Sequence, residues 1–548
     1  MLLPAAPLAF VLLFFVYPLA SILLAGLAPD GRLDPTAVLG VLARPFVRDV
    51  AWFTLWQATL STLLTVVLAL PAAYLFARFE FRGKRALWAL AIVPFVLPTV
   101  VVASAFLALL GPRSPLNRFV VDVLGVEPSP LRLEHSLWAI LIAHVFYNYA
   151  VVLRIVGGIW AQIDPRLEEA ARVLGASRWQ AFRHATLPLL RPALASAASI
   201  VFLFTFTSFG VILLLGGPRF ATLEVEIYRQ TAQLLNLEVA ATLSLLQMAA
   251  LAALLFAYAR YQARLAVGLR LLPARITARP ARGTGERAYI AGNLLFMALL
   301  LGLPLLVLVE RSLATATGYG PGNYQALLAG ERTTALFVPP YEAVRNSMAF
   351  ALLATGLAVS LGVLASAVIA YRRGVIAHGF DVLLMLPLGT SAVIVGFGFL
   401  LSLGRLPVDL RTSVLLIPIA HALLAIPFVV RAVAPVMRSI DHRLREAAMV
   451  LGASPARVWR EVDMPLIGRA AIVGAGFAFA VSLGEFGATV FIARPEAPTM
   501  PLAVFRLLSQ PGALSFGMAM AMATLLMLVT AASMLLIDRF RGSGLGQL

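Results

Sequence analysis

The feature that most constrains this chain is a series of apolar runs, each long enough to cross a bilayer, separated by short segments that carry its arginines. A spanning helix needs about 20 mostly apolar residues. Twelve runs approach or exceed that length: residues 4–27, 50–76, 86–110, 136–153, 190–216 and 239–261, then 288–309, 346–370, 380–403, 413–430, 466–491 and 516–537. In hydrocarbon every backbone N–H and C=O must be satisfied within the chain, which makes runs of this length helices. Hydrophobic residues are 61% of the chain and charged residues 13%, against about 25% charged in soluble domains. The expectation is an all-α integral membrane protein with twelve transmembrane helices, not a string of soluble domains.

The formal charge of +17 would suggest nucleic acid if the basic residues formed one patch. Instead they recur between apolar runs, which points to the lipid bilayer and to no nucleic-acid partner. Basic residues are retained on the cytoplasmic side. The segments after even-numbered runs, with the C-terminal tail, hold 28 of the 43, and the opposite segments hold 15. Both termini are therefore predicted to be cytoplasmic. The first run lacks a basic leader and a small-residue cleavage site, so it is expected to stay as a helix. The absence of cysteine excludes disulfides, thiolate metal sites and cysteine nucleophiles.

The two halves repeat. A shift of 277 residues maps Ala143-His144 onto Ala420-His421, Arg154 onto Arg431, Asp164 onto Asp441, Pro188 onto Pro465 and Phe209-Gly210 onto Phe486-Gly487. Eleven of the fourteen residues from Asp164 to Ser177 are identical to Asp441 through Ser454, and the shared set includes Asp, Arg, Glu and Gly, which hydropathy alone would not reproduce. The fold class is thus two parallel six-helix repeats related by a pseudo-twofold axis along the membrane normal. The expected organisation is a first half over 1–262, an Arg-rich cytoplasmic linker over 263–287, and a second half over 288–548.

The densest match lies in loops, over about 162–188 and 439–465, and reads as helix, turn, helix. Leu174 ends a short helix, Gly175 can take the left-handed conformation that follows a helix end, and Ser177 with Gln180 forms a capping box. In the second copy Gly452 takes the turn, Ser454 caps and Pro455 occupies the first helical position. Lipid headgroups would repel Glu169 and Glu446, whereas the pairs Ala170-Ala171 and Ala447-Ala448 offer smooth faces for another protein. Two copies suit a partner with twofold symmetry.

The pattern Glu-Ala-Ala, three residues, Gly, nine residues, a hydrophobic residue, one residue, Leu-Pro resembles the signature loop of the membrane subunits of bacterial binding-protein-dependent ABC importers. The first copy closes Ala185-Thr186-Leu187-Pro188 and the second Val462-Asp463-Met464-Pro465, with Ala and Met as departures. The segments Ser208 to Val211, Leu215 to Pro218, Thr222 to Gln230 and Ser482 to Thr489 look most like the fused permeases of the ferric iron and thiamine group, and Ser482 to Thr489 also resembles permeases for molybdate. The resemblance implies a channel subunit in the bacterial cytoplasmic (inner) membrane. It implies alternating access driven by two ATP-binding cassette subunits that carry ATP and Mg, and a solute delivered by an extracytoplasmic substrate-binding protein. It assigns Glu169, Ala170, Ala171 and Gly175, with Glu446, Ala447, Ala448 and Gly452, to ATPase coupling, and has the Leu-Pro and Met-Pro steps start the next membrane helices. The solute is then thiamine-type or ferric iron, with an oxyanion as the alternative. The chain itself has no Gly-x-x-x-x-Gly-Lys-Ser/Thr phosphate loop. No catalytic residue, cofactor or metal site is expected on it.

Within the membrane, Glu485 is a carboxylate inside an apolar run, which is costly and marks a functional candidate. Its counterpart is Ser208, with Phe209 and Phe486 as neighbours able to close a pathway. Two readings stand for Glu485, a place on the translocation pathway or a hydrogen bond between helices. His144 and His421 are expected to be neutral and hydrogen-bonded between helices, and Arg154 and Arg431 to be inner-face anchors or partners of Asp164 and Asp441. The segment Thr222 to Arg229 and its copy Thr499 to Arg506 alternate apolar and polar residues, which suggests a surface element touching a binding protein or an aromatic interface anchor. A secondary transporter of the major facilitator type also has twelve spans in two halves. Its usual Gly, Asp and Arg motif between spans two and three is missing from Arg78-Phe79-Glu80-Phe81-Arg82-Gly83-Lys84-Arg85. A membrane-embedded enzyme lacks support, because no clustered His and Asp set and no nucleophile beside a base is evident.

Overall fold

The computed structural model describes residues 5–28, 32, 34–112, 114–115, 117, 121–122, 133–265, 277–329, 335–371, 374–405, 407 and 409–542. Ten of its helices are long and apolar enough to cross a membrane, and two further helix pairs, each bent by 99°, bring the number to twelve. The first six spans are Ala5–Leu27, Pro45–Arg78, Lys84–Val96 with Thr99–Leu110, Leu137–Trp160, Arg178–Phe206 and Leu237–Gln262. The second six are Thr284–Leu313, Pro340–Tyr371, Ala377–Gly389 with Ala392–Arg405, Leu416–Ser439, Pro455–Gly484 and Ala513–Ile537. The all-α, twelve-span reading and its division into two like sets of six hold.

The third and ninth spans are not the straight helices expected over 86–110 and 380–403. A residue that precedes proline is pushed out of the helical region, and Leu97, just before Pro98, is extended. In the ninth span the chain breaks at Thr390, and Ser391 caps the second limb by accepting the Val393 N–H at 3.1 Å.

A second correction concerns the Leu-Pro and Met-Pro steps. Pro188 and Pro465 do not start the fifth and eleventh spans. Those helices begin at Arg178 and Pro455 and run on through one widened turn, Phe182–Thr186 and Trp459–Asp463, immediately before the prolines. A wider turn accommodates a residue that has no N–H to donate and whose ring crowds the preceding turn.

The halves are interleaved. The first span packs on the sixth and on the second limb of the ninth, while the seventh packs on the twelfth and on the second limb of the third. Val11 and Phe15 accordingly lie in a buried cluster made mostly by the second half, and Val307 and Leu308 in one shared with the first. Residues 266–276 of the expected linker lie outside the described residues. Beyond them, Phe79–Glu80 pairs in parallel with Arg279–Pro280, the Arg279 guanidinium stacks 5.4 Å above the Phe79 ring, and the seventh span starts at Thr284, earlier than residue 288.

Candidate translocation gate and coupling loops

The helices of spans five and eleven stop at Phe206 and Gly484. After each break the chain makes a short helix, Gly210–Leu215 or Thr489–Ile492, and then a buried one, Leu223–Tyr228 or Met500–Leu508. The breaks bring Phe209 and Phe486 face to face, with ring centroids 5.4 Å apart and planes 23° from parallel. Tyr228 meets Phe209 edge-on at 5.6 Å, and Phe505 lies 5.5 Å from Phe486. Four aromatic rings from both halves thus form one plug. Glycine follows each phenylalanine because a Cβ on Gly210 would overlap the Thr99 side chain, and one on Gly487 would sit 3.0 Å from the Ala392 Cβ.

Beside the plug lies a cavity of about 400 Å³ whose wall includes Ser208, Phe209, Glu485 and Phe486. All four residues singled out in the sequence therefore share one site. Its wall continues along the fourth and fifth spans through Tyr147, Asn148 and Phe204, residues that lie toward the Asp164–Ser177 loop. The cavity is thus on the loop side of the plug. The opposite side is covered by the two buried helices, each held at its start by a hydroxyl from the second span of its own half: Leu223 N–H donates to Thr54 Oγ1 at 3.0 Å, and Met500 N–H to Ser347 Oγ at 2.7 Å. The expectation for Thr222 to Arg229, a surface element touching a binding protein or an aromatic interface anchor, does not fit its core: every residue from Leu223 to Tyr228 is buried.

Two histidines pin the plug from behind. His144 lies 2.9 Å from Ser61 Oγ through Nδ1 and 2.9 Å from Ser208 Oγ through Nε2. His421 lies 2.7 Å from Ser482 Oγ and 2.8 Å from Thr489 Oγ1. Each thus bridges its own span to the break beside it, as the sequence suggested. Glu485 accepts the Ala488 and Thr489 N–H groups at 2.8 and 3.0 Å and the Thr489 hydroxyl at 2.5 Å, and it stands 3.4 Å from His421 Nε2. It caps the short helix after the break, and its oxygens are occupied while it borders the cavity. In the first half Ser208 holds that place, and its hydroxyl pairs with His144.

The two signature loops take the form their chemistry dictates. Helices Arg166–Val173 and His442–Val450 end in glycines with φ of +92° and +85°. Ala176 N–H returns to Ala171 O at 3.1 Å and Ala453 N–H to Ala448 O at 3.0 Å, which closes a Schellman turn. The Ser177–Gln180 capping box forms, and Ser454 caps through the Arg457 N–H. Glu169, Ala170, Gly175, Glu446, Ala447 and Gly452 are exposed, and Ala171 and Ala448 half-buried. The sequence reading missed the apolar tip beside them: Val173, Leu174, Val450 and Leu451 are each 87–88% exposed. Four bare aliphatic side chains beside acidic and alanine faces can bury area only against a partner or an interface.

Each loop helix is welded to the span that follows. Glu168 accepts the Thr186 hydroxyl, and at the equivalent places Arg445 donates to Asp463 at 2.9 Å and to the Tyr371 hydroxyl at 2.7 Å. Asp164 and Asp441 accept the N–H groups of Arg166 and Arg443 at 2.9 and 3.0 Å, so they start the loop helices. Arg154 instead donates to Trp88 O at 2.9 Å and stacks over that indole.

A family model described as binding-protein-dependent transport system inner membrane component matches residues 65–267 and 358–542, so each matched stretch contains one loop and one side of the plug. The thiamine transport system permease protein ThiP of Brucella abortus (strain 2308) is 28% identical over 513 residues, covering 90% of this chain and 88% of that protein. The protein of the same name from Escherichia coli (strain K12) is 27% identical over 485 residues, 86% of each. The molybdenum transport system permease protein ModB of Azotobacter vinelandii is 32% identical over 178 residues, 32% of this chain and 76% of its own.

Proposed function

This chain belongs to the family of binding-protein-dependent transport system inner membrane components, and from that premise we propose that it forms both halves of the channel of an ATP-driven importer. It lies in the bacterial cytoplasmic membrane with both termini inside. The observation that carries this reading is the pair of protruding loops with bare apolar tips, each tied by one polar bond to a span that ends at the plug. Two separate ATP-binding cassette subunits, holding ATP and Mg, dock on the loops. Glu169 and Glu446 meet basic groups there, the alanines pack closely, and Val173, Leu174, Val450 and Leu451 fill pockets.

When the two ATPases close on ATP, the loops approach each other and the force passes through Glu168–Thr186 and Arg445–Asp463 into spans five and eleven. Their far ends carry Phe209 and Phe486, so the plug parts on the side away from the loops and the cavity closes behind it. A substrate-binding protein supplies the solute from that side. The chain has no phosphate loop and hydrolyses nothing itself. Boundaries near residues 262 and 284, with the intervening linker, separate the halves.

Of the solutes considered, a thiamine-type cation is favoured, because the thiamine permeases match 86% and 90% of this chain, through both halves, and the molybdenum permease matches one stretch of 178 residues. The assembly is tested by native mass spectrometry of the chain mixed with its ATPase. Two ATPase subunits per chain are expected, falling to one when either loop tip is replaced by Ser at Val173-Leu174 or Val450-Leu451. A single subunit on the intact chain overturns the proposal.

A further inference from the structure

Glu224 has no place in the coupling or closing steps above, yet it is the most completely enclosed carboxylate of the gate, with none of its surface exposed. It sits on the buried helix Leu223–Tyr228, one turn before the plug residue Tyr228. One oxygen accepts from the Gln247 amide on the sixth span, and the other accepts the hydroxyl of Ser391 at 2.6 Å. Ser391 belongs to the other half. It is the cap of the second limb of the bent ninth span and lines the same cavity as the plug.

The equivalent places on the opposite side of the pseudo-twofold axis are apolar or weakly polar. Pro501 stands where Glu224 would be, Thr524 where Gln247 would be, and Pro98 caps the second limb of the third span in place of Ser391. Among the described residues, the Glu224–Ser391 hydrogen bond across the halves at the plug has no counterpart on the other side.

We propose that Glu224 is a positioning residue of the gate, a latch that holds the Tyr228 helix of the first half against the Ser391 cap of the second and keeps the plug shut until the loops are driven together. A buried carboxylate is tolerated while donors satisfy both oxygens. Parting the halves takes Ser391 away and leaves one oxygen bare until water or another donor reaches it. The contact therefore resists opening and biases the resting gate toward closed. This rests on the reading of the four-ring plug as the gate.

The chain has no cysteine, so a single Thr207→Cys at the half-buried cavity wall reports passage through the plug. The rate of its modification is measured in the ATPase-bound transporter without ATP, using a membrane-impermeant thiol reagent added from the side away from the loops. Adding Glu224→Ala or Ser391→Ala is expected to raise the rate tenfold or more. Glu224→Gln, whose carbonyl still accepts from Ser391, should give a smaller rise, and Ser391→Thr should stay at the parent rate. Size-exclusion elution identifies folded variants, and Ser391→Ala, which deletes one oxygen, carries the test if Glu224→Ala does not fold. Parent rates for the alanine variants, with a raised rate for Phe486→Ala, overturn the latch alone. A parent rate for Phe486→Ala as well overturns the gate reading and the latch with it.

Discussion

Replacing Gly175 and Gly452 by valine tests the coupling loops at their turn, without touching a span. Both residues hold positive φ, +92° and +85°, and a Cβ built on either would meet nothing within 4 Å. The penalty is therefore backbone strain alone. An L-residue in the left-handed region costs about 1–2 kcal/mol, with a β-branched side chain at the upper end. The loop escapes that strain by unwinding its last helical turn and giving up the return bonds from Gly175 to Arg172 and from Ala176 to Ala171. Docking requires the turn to be rewound, so the cost reappears as lost affinity for the ATPase, roughly 5- to 30-fold per site. The sites lie on separate loops, so the double variant should lose about the product of the two factors. Titration of the ATPase against the chain in nanodiscs measures the loss. Asparagine, which tolerates positive φ, should lose less than half as much in free energy. Parent affinity for the valine double variant refutes the reasoning. Equal losses for asparagine and valine would move the cause from the turn to a clash with the partner.

Other outcomes follow from the same geometry. Arg445→Ala leaves Asp463 buried without its cation and should cost about 1.5–3 kcal/mol. The pair Arg445→Glu with Asp463→Thr, which copies Glu168–Thr186 into the second half, should recover most of it; thermal unfolding and substrate-stimulated ATP hydrolysis are the readouts. Glu485→Gln keeps one acceptor for the cap of Thr489–Ile492 and removes the charge beside His421, so transport should fall while the order of preference among thiamine, iron and molybdate stays the same in competition uptake. Phe486→Ala opens the plug and should produce solute leak into vesicles without ATP, a signal that the parent lacks.

The spans and loop turns were legible because their causes are local. Twenty apolar residues make a spanning helix wherever they stand, and Leu174-Gly175 with Ser177 and Gln180 makes its turn from its own atoms. The breaks at Pro98 and Ser391 were harder to read, since hydropathy does not fall where an apolar helix bends and a capping serine inside a long apolar run looks like any small polar residue. The interleaving of the first and seventh spans was not legible, because a helix that is apolar on all sides does not declare which neighbour it will meet. Glu224 failed for another reason. Its alternating segment suggested a solvated face, while Ser391, the donor that makes its burial tolerable, lies 167 residues further along the chain. Phe209 and Phe486 were found because the repeat aligned them, and Glu485 because a carboxylate inside an apolar run is costly, but only the fold showed that Tyr228 and Phe505 complete the plug.

Uptake of labelled thiamine into proteoliposomes, with the substrate-binding protein outside and ATP inside, tests the central claim most directly. The chain alone should transport nothing, with or without a proton gradient. With two copies of its ATPase it should accumulate thiamine only while ATP is hydrolysed, and it should lose that ability when both loop tips are replaced. Accumulation by the chain alone on a proton gradient would make it a secondary transporter and contradict the account.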